Sequence, residues 1–259
     1  MNNHKYLGTA TFYKRALSIA LPIMAQLLIQ NLVSLVDNFM VAGLGDIKMS
    51  GVNIAGQINF VFLVLMNTIC ASGGIFMSQF KGAKDKEGME QTFKFKLIVC
   101  GLIGISYTIL SFIAPRPLFN LMVTTNNDAN IILDYSVIYS KSVALSWLFM
   151  VFSQAIASSL REIEIVKPPL VISIIATLIN TFFNWVFIYG NLGAPRFEVA
   201  GAGYATVIAR FAELAMFIVY AAIKKPEFLF KIKTFLQVKF RLFISIFKKS
   251  AMILYSELT

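Results

Sequence analysis

The sequence predicts an all-α integral membrane protein: a six-transmembrane-helix bundle followed by the start of a seventh helix. Three observations carry this. Hydrophobic residues make up 58% of the 259 and charged residues only 14%, whereas ordinary soluble domains have about a quarter charged. Apolar runs recur along the whole chain instead of concentrating in one place. The Lys and Arg behind a formal net charge of +10 gather in the short segments between those runs, as the positive-inside rule expects. That distribution argues against nucleic acid as a partner and for the lipid bilayer.

A helix needs about 20 predominantly apolar residues to cross the hydrocarbon core. Six segments qualify: 16–44, 52–80, 93–114, 135–160, 170–189 and 201–223. Lys14 and Arg15 precede the first. Lys81, Lys84, Lys86, Lys94 and Lys96 join the second to the third, Arg161 and Lys167 the fourth to the fifth, and eight further Lys and Arg follow the sixth. A seventh span begins near Ser250 and stops at Thr259, so the chain reads as the first part of something longer. The expected division is 1–223 as a six-helix lobe, 224–249 as a basic linker and 250–259 as the start of the next helix.

The same charges set sidedness. With the N-terminus inside, 18 of the 23 basic residues lie in cytoplasmic segments; Lys48, Arg116 and Arg196 lie outside, and Lys141 and Arg210 within spans. The expectation is a multi-pass protein of the inner (plasma) membrane with a cytoplasmic N-terminus. The N-terminus has no signal-peptide pattern, because its apolar run continues too far past Lys14 and Arg15. In the linker, Phe228, Ile232, Phe235, Leu236, Phe243, Ile246 and Phe247 recur at helical spacing between lysines. This reads as a basic amphipathic helix on the cytoplasmic leaflet, or else as a flexible connection between lobes.

The chemistry lies on polar faces within the spans. In the first, Gln26, Gln30, Ser34 and Asp37 are spaced four, four and three apart and so share a face. Pro22 is expected to kink the helix below it. In the fifth, Ser173, Thr177, Asn180 and Asn184 form a similar face. The fourth adds Ser146, Ser153 and Gln154, and the sixth Thr206, Arg210 and Glu213. Ser, Thr and Asn in membrane helices also serve as interhelical glue, and Arg210 with Glu213 reads equally as a structural latch. Asp37 is different, having no cationic neighbour in its own span. A charge in hydrocarbon costs about 3 kcal/mol on insertion scales and marks a functional site. Burial disfavours the ionised carboxylate, which suits it to loading and releasing a proton. Na⁺ held by Asp37 with the Asn180 and Asn184 carbonyls is the competing reading.

No enzyme signature appears: there is no phosphate-binding Gly-rich loop, HExxH helix or nucleophile elbow, and the single His, His4, lies in a polar stretch. No cofactor is expected beyond the coupling ion. Cys70 and Cys100 fall inside apolar segments and read as packing residues.

These residues resemble the N-terminal half of a multidrug and toxic compound extrusion (MATE) transporter. The resemblance rests on the ordered series Ala20-Leu21-Pro22-Ile23, Leu35 to Gly45 around Asp37, Ser78 to Asp85, Leu160-Arg161-Glu162 with Lys167-Pro168, Gly190 to Pro195, and Gly201 to Thr206. Glu257 matches the acidic position of the family's seventh span. The resemblance implies two six-helix lobes, the second a C-terminal lobe beyond Thr259, that export small organic cations by proton- or sodium-coupled antiport. It also implies a coupling-ion site of Asp37, Gln154, Asn180, Asn184 and Thr206, with Glu257 as an acidic group of the second lobe; Glu213 and Arg210 stand beside these, from their spacing alone, as further acid, base or structural groups. Some members have Asp where this chain has Asn184, which would leave the site one charge poorer. The alternatives are a lipid-linked oligosaccharide flippase of the same superfamily and a non-transporting six-span module.

Overall fold

The computed structural model describes residues 9–122, 128–231, 234–235 and 237–258, with the backbone alone at 254 and 256–258. His4 therefore lies outside the described residues. These residues are helical, with no strand among them, and six helices are long and apolar enough to cross a membrane.

Helix α1 (Ala10–Ala42) is capped by Thr9, whose hydroxyl accepts from Phe12 N at 3.3 Å, and runs across Pro22. Helices α2 (Asp46–Gly82) and α3 (Lys86–Ile113) follow, the latter capped by Asp85 accepting from Gly88 N at 2.9 Å. A one-turn helix, α4 (Pro115–Asn120), separates α3 from α5 (Ala129–Glu162). Helix α6 (Lys167–Tyr189) opens on Pro168 and Pro169, where missing N–H groups cost nothing. It stops at Gly190, whose φ of +77° suits glycine at a helix C-terminus. Helices α7 (Glu198–Lys224) and α8 (Phe240–Leu258) complete the chain.

Helix α5 is the centre of the bundle and packs against α2, α3 and α7, while α6 packs on α7 and α1. Small residues let these helices approach. A Cβ on Gly201 would meet the Phe187 carbonyl oxygen at 2.6 Å, and backbone cannot yield as a side chain can. Gly201→Ala is therefore expected to destabilise the bundle by about 1–3 kcal/mol, read as a lowered unfolding midpoint of the purified protein. An unchanged midpoint would contradict the close α6–α7 contact.

Two expectations change. The helix expected from near Ser250 starts at Phe240, ten residues earlier. It packs on α2 and α3, with Ile246 wholly buried and Phe243 against Phe95. The first part of the linker is not an amphipathic helix. Residues 226–231 and 237–239 have no helical structure, and the segment is pinned to α3. Buried Lys94 donates to the carbonyls of Thr234 at 2.6 Å and Gln237 at 3.1 Å. The Gln91 amide donates to Gln237 O and accepts from Lys239 N, both at 2.9 Å. Phe228, assigned from sequence to a lipid face, is buried against Phe93. Period alone cannot say whether an apolar face meets lipid or protein. Ile232 and Leu236 lie outside the described residues.

Candidate functional site

The two polar faces read from the sequence meet. Helix α1 leans on α6, and hydrogen bonds between them recur along its length. Gln30 donates to Ser173 Oγ at 3.0 Å, Asn184 Nδ2 to Asp37 Oδ1 at 2.9 Å, and the Tyr189 hydroxyl to Met40 O at 2.9 Å. Asn180 satisfies its neighbours when its amide nitrogen faces Asp37 Oδ2 at 2.9 Å and its oxygen accepts from Thr206 N at 3.2 Å. Each oxygen of the Asp37 carboxylate then accepts one amide N–H from α6. Asn184 is buried, and its Oδ1 has no hydrogen-bond partner among the described residues.

Asp37 lines a cavity of about 550 Å³ whose walls also include Asn180, Thr206, Gln154, Arg210 and Glu213. The predicted set is thus only partly assembled. Asn180, Asn184 and Asp37 form one hydrogen-bonded group, joined through Asn180 to Thr206. Gln154 is in the same wall but donates instead to Asn67 Oδ1 on α2 at 3.4 Å. Arg210 and Glu213 pair with each other at 2.8 Å, with Glu213 buried. Glu257 falls in the last turns of α8, and its side chain lies outside the described ones.

Amide N–H groups approach both carboxylate oxygens, and each oxygen keeps a lone pair open to protonation. Na⁺ needs oxygen ligands. Asp37, Thr206 Oγ1 and the unpartnered Asn184 Oδ1 supply them, but the Asn184 nitrogen, not its oxygen, faces Asp37. Among the described residues no cluster of three or more His, Cys, Asp or Glu is present to hold a metal.

Sequence reasoning missed a second polar group. Lys96, counted there as a flanking charge, is wholly buried, pairs with Glu162 at 2.5 Å and donates to Ser158 at 3.2 Å and Ser159 at 3.4 Å. A signal was present: Lys94 and Lys96 are two apart on α3, about 200° around a helix of 3.6 residues per turn. They cannot both face solvent from one side. Cys70 and Cys100 are buried free thiols with sulfurs 3.9 Å apart, packed in the core between α2 and α3.

Residues 22–186 match the MatE family model. The chain is 25% identical over 222 residues to the multidrug resistance protein NorM of Vibrio cholerae, covering 86% of this chain and 47% of that protein. It is 26% identical over 218 residues to the probable multidrug resistance protein NorM of Thermotoga maritima, covering 83% and 45%. It thus spans about half the length of the curated relatives it matches. Among solved structures, MATE in the bent conformation superposes with a TM-score of 0.78 at 20% identity, over 92% of this chain and 52% of that one. A transporter of the MOP superfamily from Pyrococcus furiosus superposes with a TM-score of 0.77 at 20% identity, over 92% and 50%.

Proposed function

The chain belongs to the MatE family, and from that premise we propose that it forms the first lobe of a proton-coupled efflux transporter working by alternating access. Asp37 is the coupling residue, and the observation that carries this is the pair of amide donors on its carboxylate. Asn180 and Asn184 orient the group in either protonation state, and Thr206 holds Asn180. A proton taken up from outside and released to the cytoplasm gains about 2.3 kcal/mol per 100 mV of membrane potential. That energy drives export when proton and substrate favour different states of the protein.

In this reading the protein sits in the inner membrane with its N-terminus in the cytoplasm, a sidedness supported by the distribution of Lys and Arg. Small organic cations as substrates, and a C-terminal lobe of the same protein as the partner across the cleft, are supported by the multidrug-resistance relatives, of which this chain spans about half. The cavity offers little to a large anionic headgroup such as a lipid-linked oligosaccharide. Arg210 is engaged by Glu213, and Lys141 is exposed and outside the cavity wall.

The test is efflux of a cationic dye by the full-length protein in proteoliposomes. An imposed pH gradient without Na⁺ is expected to drive it, and a Na⁺ gradient at equal pH is expected not to. Efflux driven by Na⁺ alone would replace the proton with Na⁺ at this site, and efflux indifferent to both gradients would remove Asp37 as coupling residue.

A further inference from the structure

The two buried thiols of the core are placed as a pair of ligands. Cys70 of α2 and Cys100 of α3 hold their sulfurs 3.9 Å apart, and neither is in a disulfide. Two metal–thiolate bonds of about 2.3 Å reach across any gap up to about 4.6 Å, so one ion fits between these sulfurs with both helices in place. The surroundings are soft as well. Met66, one turn before Cys70, puts a thioether on the same face of α2 and is buried in the same core. Cys70 also lines a cavity of about 390 Å³ that shares Asn67 and Gln154 with the Asp37 cavity. That cavity gives the thiols an entry path.

The charges around the pair favour an anionic centre there. Half-buried Arg161 lines the same cavity within electrostatic reach of Cys70, and no carboxylate lies within ion-pair distance of it among the described residues. The two nearby acids are already engaged: Glu162 by Lys96 at 2.5 Å, and Glu213 of α7 by Arg210 at 2.8 Å. The seat of the Lys96–Glu162 pair is built into α2. A Cβ on Gly73 would meet Lys96 Cε at 2.6 Å, and one on Gly74 would meet Glu162 Cδ at 2.8 Å. Two adjacent glycines thus make room for the ion pair. Ser158, which accepts from Lys96 at 3.2 Å, is within hydrogen-bond reach of the Cys70 sulfur. Lys96, Arg161 and Glu162 together leave one positive charge in excess. Two neutral thiols do not offset it, whereas two thiolates around one monovalent ion carry the single negative charge that does.

We propose that Cys70 and Cys100 form a binding site for one soft monovalent metal ion, Cu(I) or Ag(I), with Arg161 balancing the charge of the dithiolate complex. Each thiol gives up its proton as its metal–sulfur bond forms, so two protons leave for each ion bound and no electron is transferred. Thiolate ligands select soft ions. Zn²⁺ takes four ligands in a closed site, and no third His, Cys, Asp or Glu joins the two thiols among the described residues. The site stands on the thiols and the charges around them, and is independent of the proposed coupling at Asp37.

The experiment titrates the reduced full-length protein in detergent, without oxygen, with Cu(I) held by a chromophoric chelator. Wild type is expected to bind one more Cu(I) per chain than the Cys70→Ser, Cys100→Ser double variant. Either single variant is expected to weaken this site at least about a hundredfold, the upper end of what losing an outer partner costs. Arg161→Gln, with both thiols present, is expected to weaken it about tenfold, as loss of an outer partner does, and Arg161→Lys to keep it. X-ray absorption of the wild type with one equivalent of Cu(I) is expected to show sulfur neighbours at about 2.3 Å. Equal uptake by the wild type and the double variant overturns the site. So does a spectrum with nitrogen or oxygen neighbours alone, a result that needs no variant to fold. Zn²⁺ bound as tightly as Cu(I) overturns the class of ion, and undiminished binding by Arg161→Gln overturns the charge balance.

Discussion

Asp37→Asn is expected to reduce pH-driven dye efflux by the full-length protein to the level of empty vesicles, with normal expression and membrane insertion. The substitution is close to isosteric but removes the carboxylate at the meeting of α1 and α6. Asn180 and Asn184 now present their amide nitrogens to the two carboxylate oxygens. After substitution, one of those N–H groups faces another N–H, and an unmade buried hydrogen bond costs about 1–3 kcal/mol. That is partly recoverable, because either amide can turn. The helices also keep their other contacts, such as Gln30 with Ser173 and Tyr189 with Met40. Activity should therefore be lost far out of proportion to stability. Substantial pH-driven efflux in a well-folded Asp37→Asn protein would move the coupling site elsewhere.

Glu162→Ala is expected to destabilise this lobe more than Gly201→Ala or Asp37→Asn. It strands Lys96, whose side chain is 0% exposed, with two serine hydroxyls as the remaining partners of its ammonium group among the described residues. Breaking a buried pair by removing one partner typically costs roughly 3–5 kcal/mol. The Glu162 side chain keeps 16% exposure, which admits some solvent and favours the lower end. The measurement is chemical or thermal unfolding of the purified protein in detergent. Lys96→Met combined with Glu162→Ala should recover most of the loss, since no unpaired charge then remains. A loss within about 0.5 kcal/mol for Glu162→Ala, the range of ordinary surface changes, would show that the pair is not buried in the working protein.

Much of the candidate site was legible in the sequence because helical geometry makes spacing equivalent to placement on a face. Asp37 on one polar face and Asn180 with Asn184 on another could be paired without coordinates, and they meet at hydrogen-bond distance. Gln154 was harder. Its depth was readable but its direction was not, and it turns toward Asn67. Lys96 was misassigned because a positive charge near a span boundary looks the same in sequence whether it faces water or a buried acid. The first part of the linker was misassigned for a related reason: its phenylalanines repeat as a lipid-facing helix would, yet Phe228 serves the protein core.

The sequence by itself determined the class of the protein, its six spans, its family resemblance and the carboxylate around which the proposed site is drawn. These follow from composition, from the number of residues that a bilayer demands, and from the cost of a charge within it. Only the tertiary structure decided which polar groups touch Asp37, that α8 begins ten residues early against α2 and α3, and that Lys96 is buried on Glu162 over two glycines. Those depend on which helix faces which. That choice is made by close packing between segments far apart in the chain, and no local pattern encodes it.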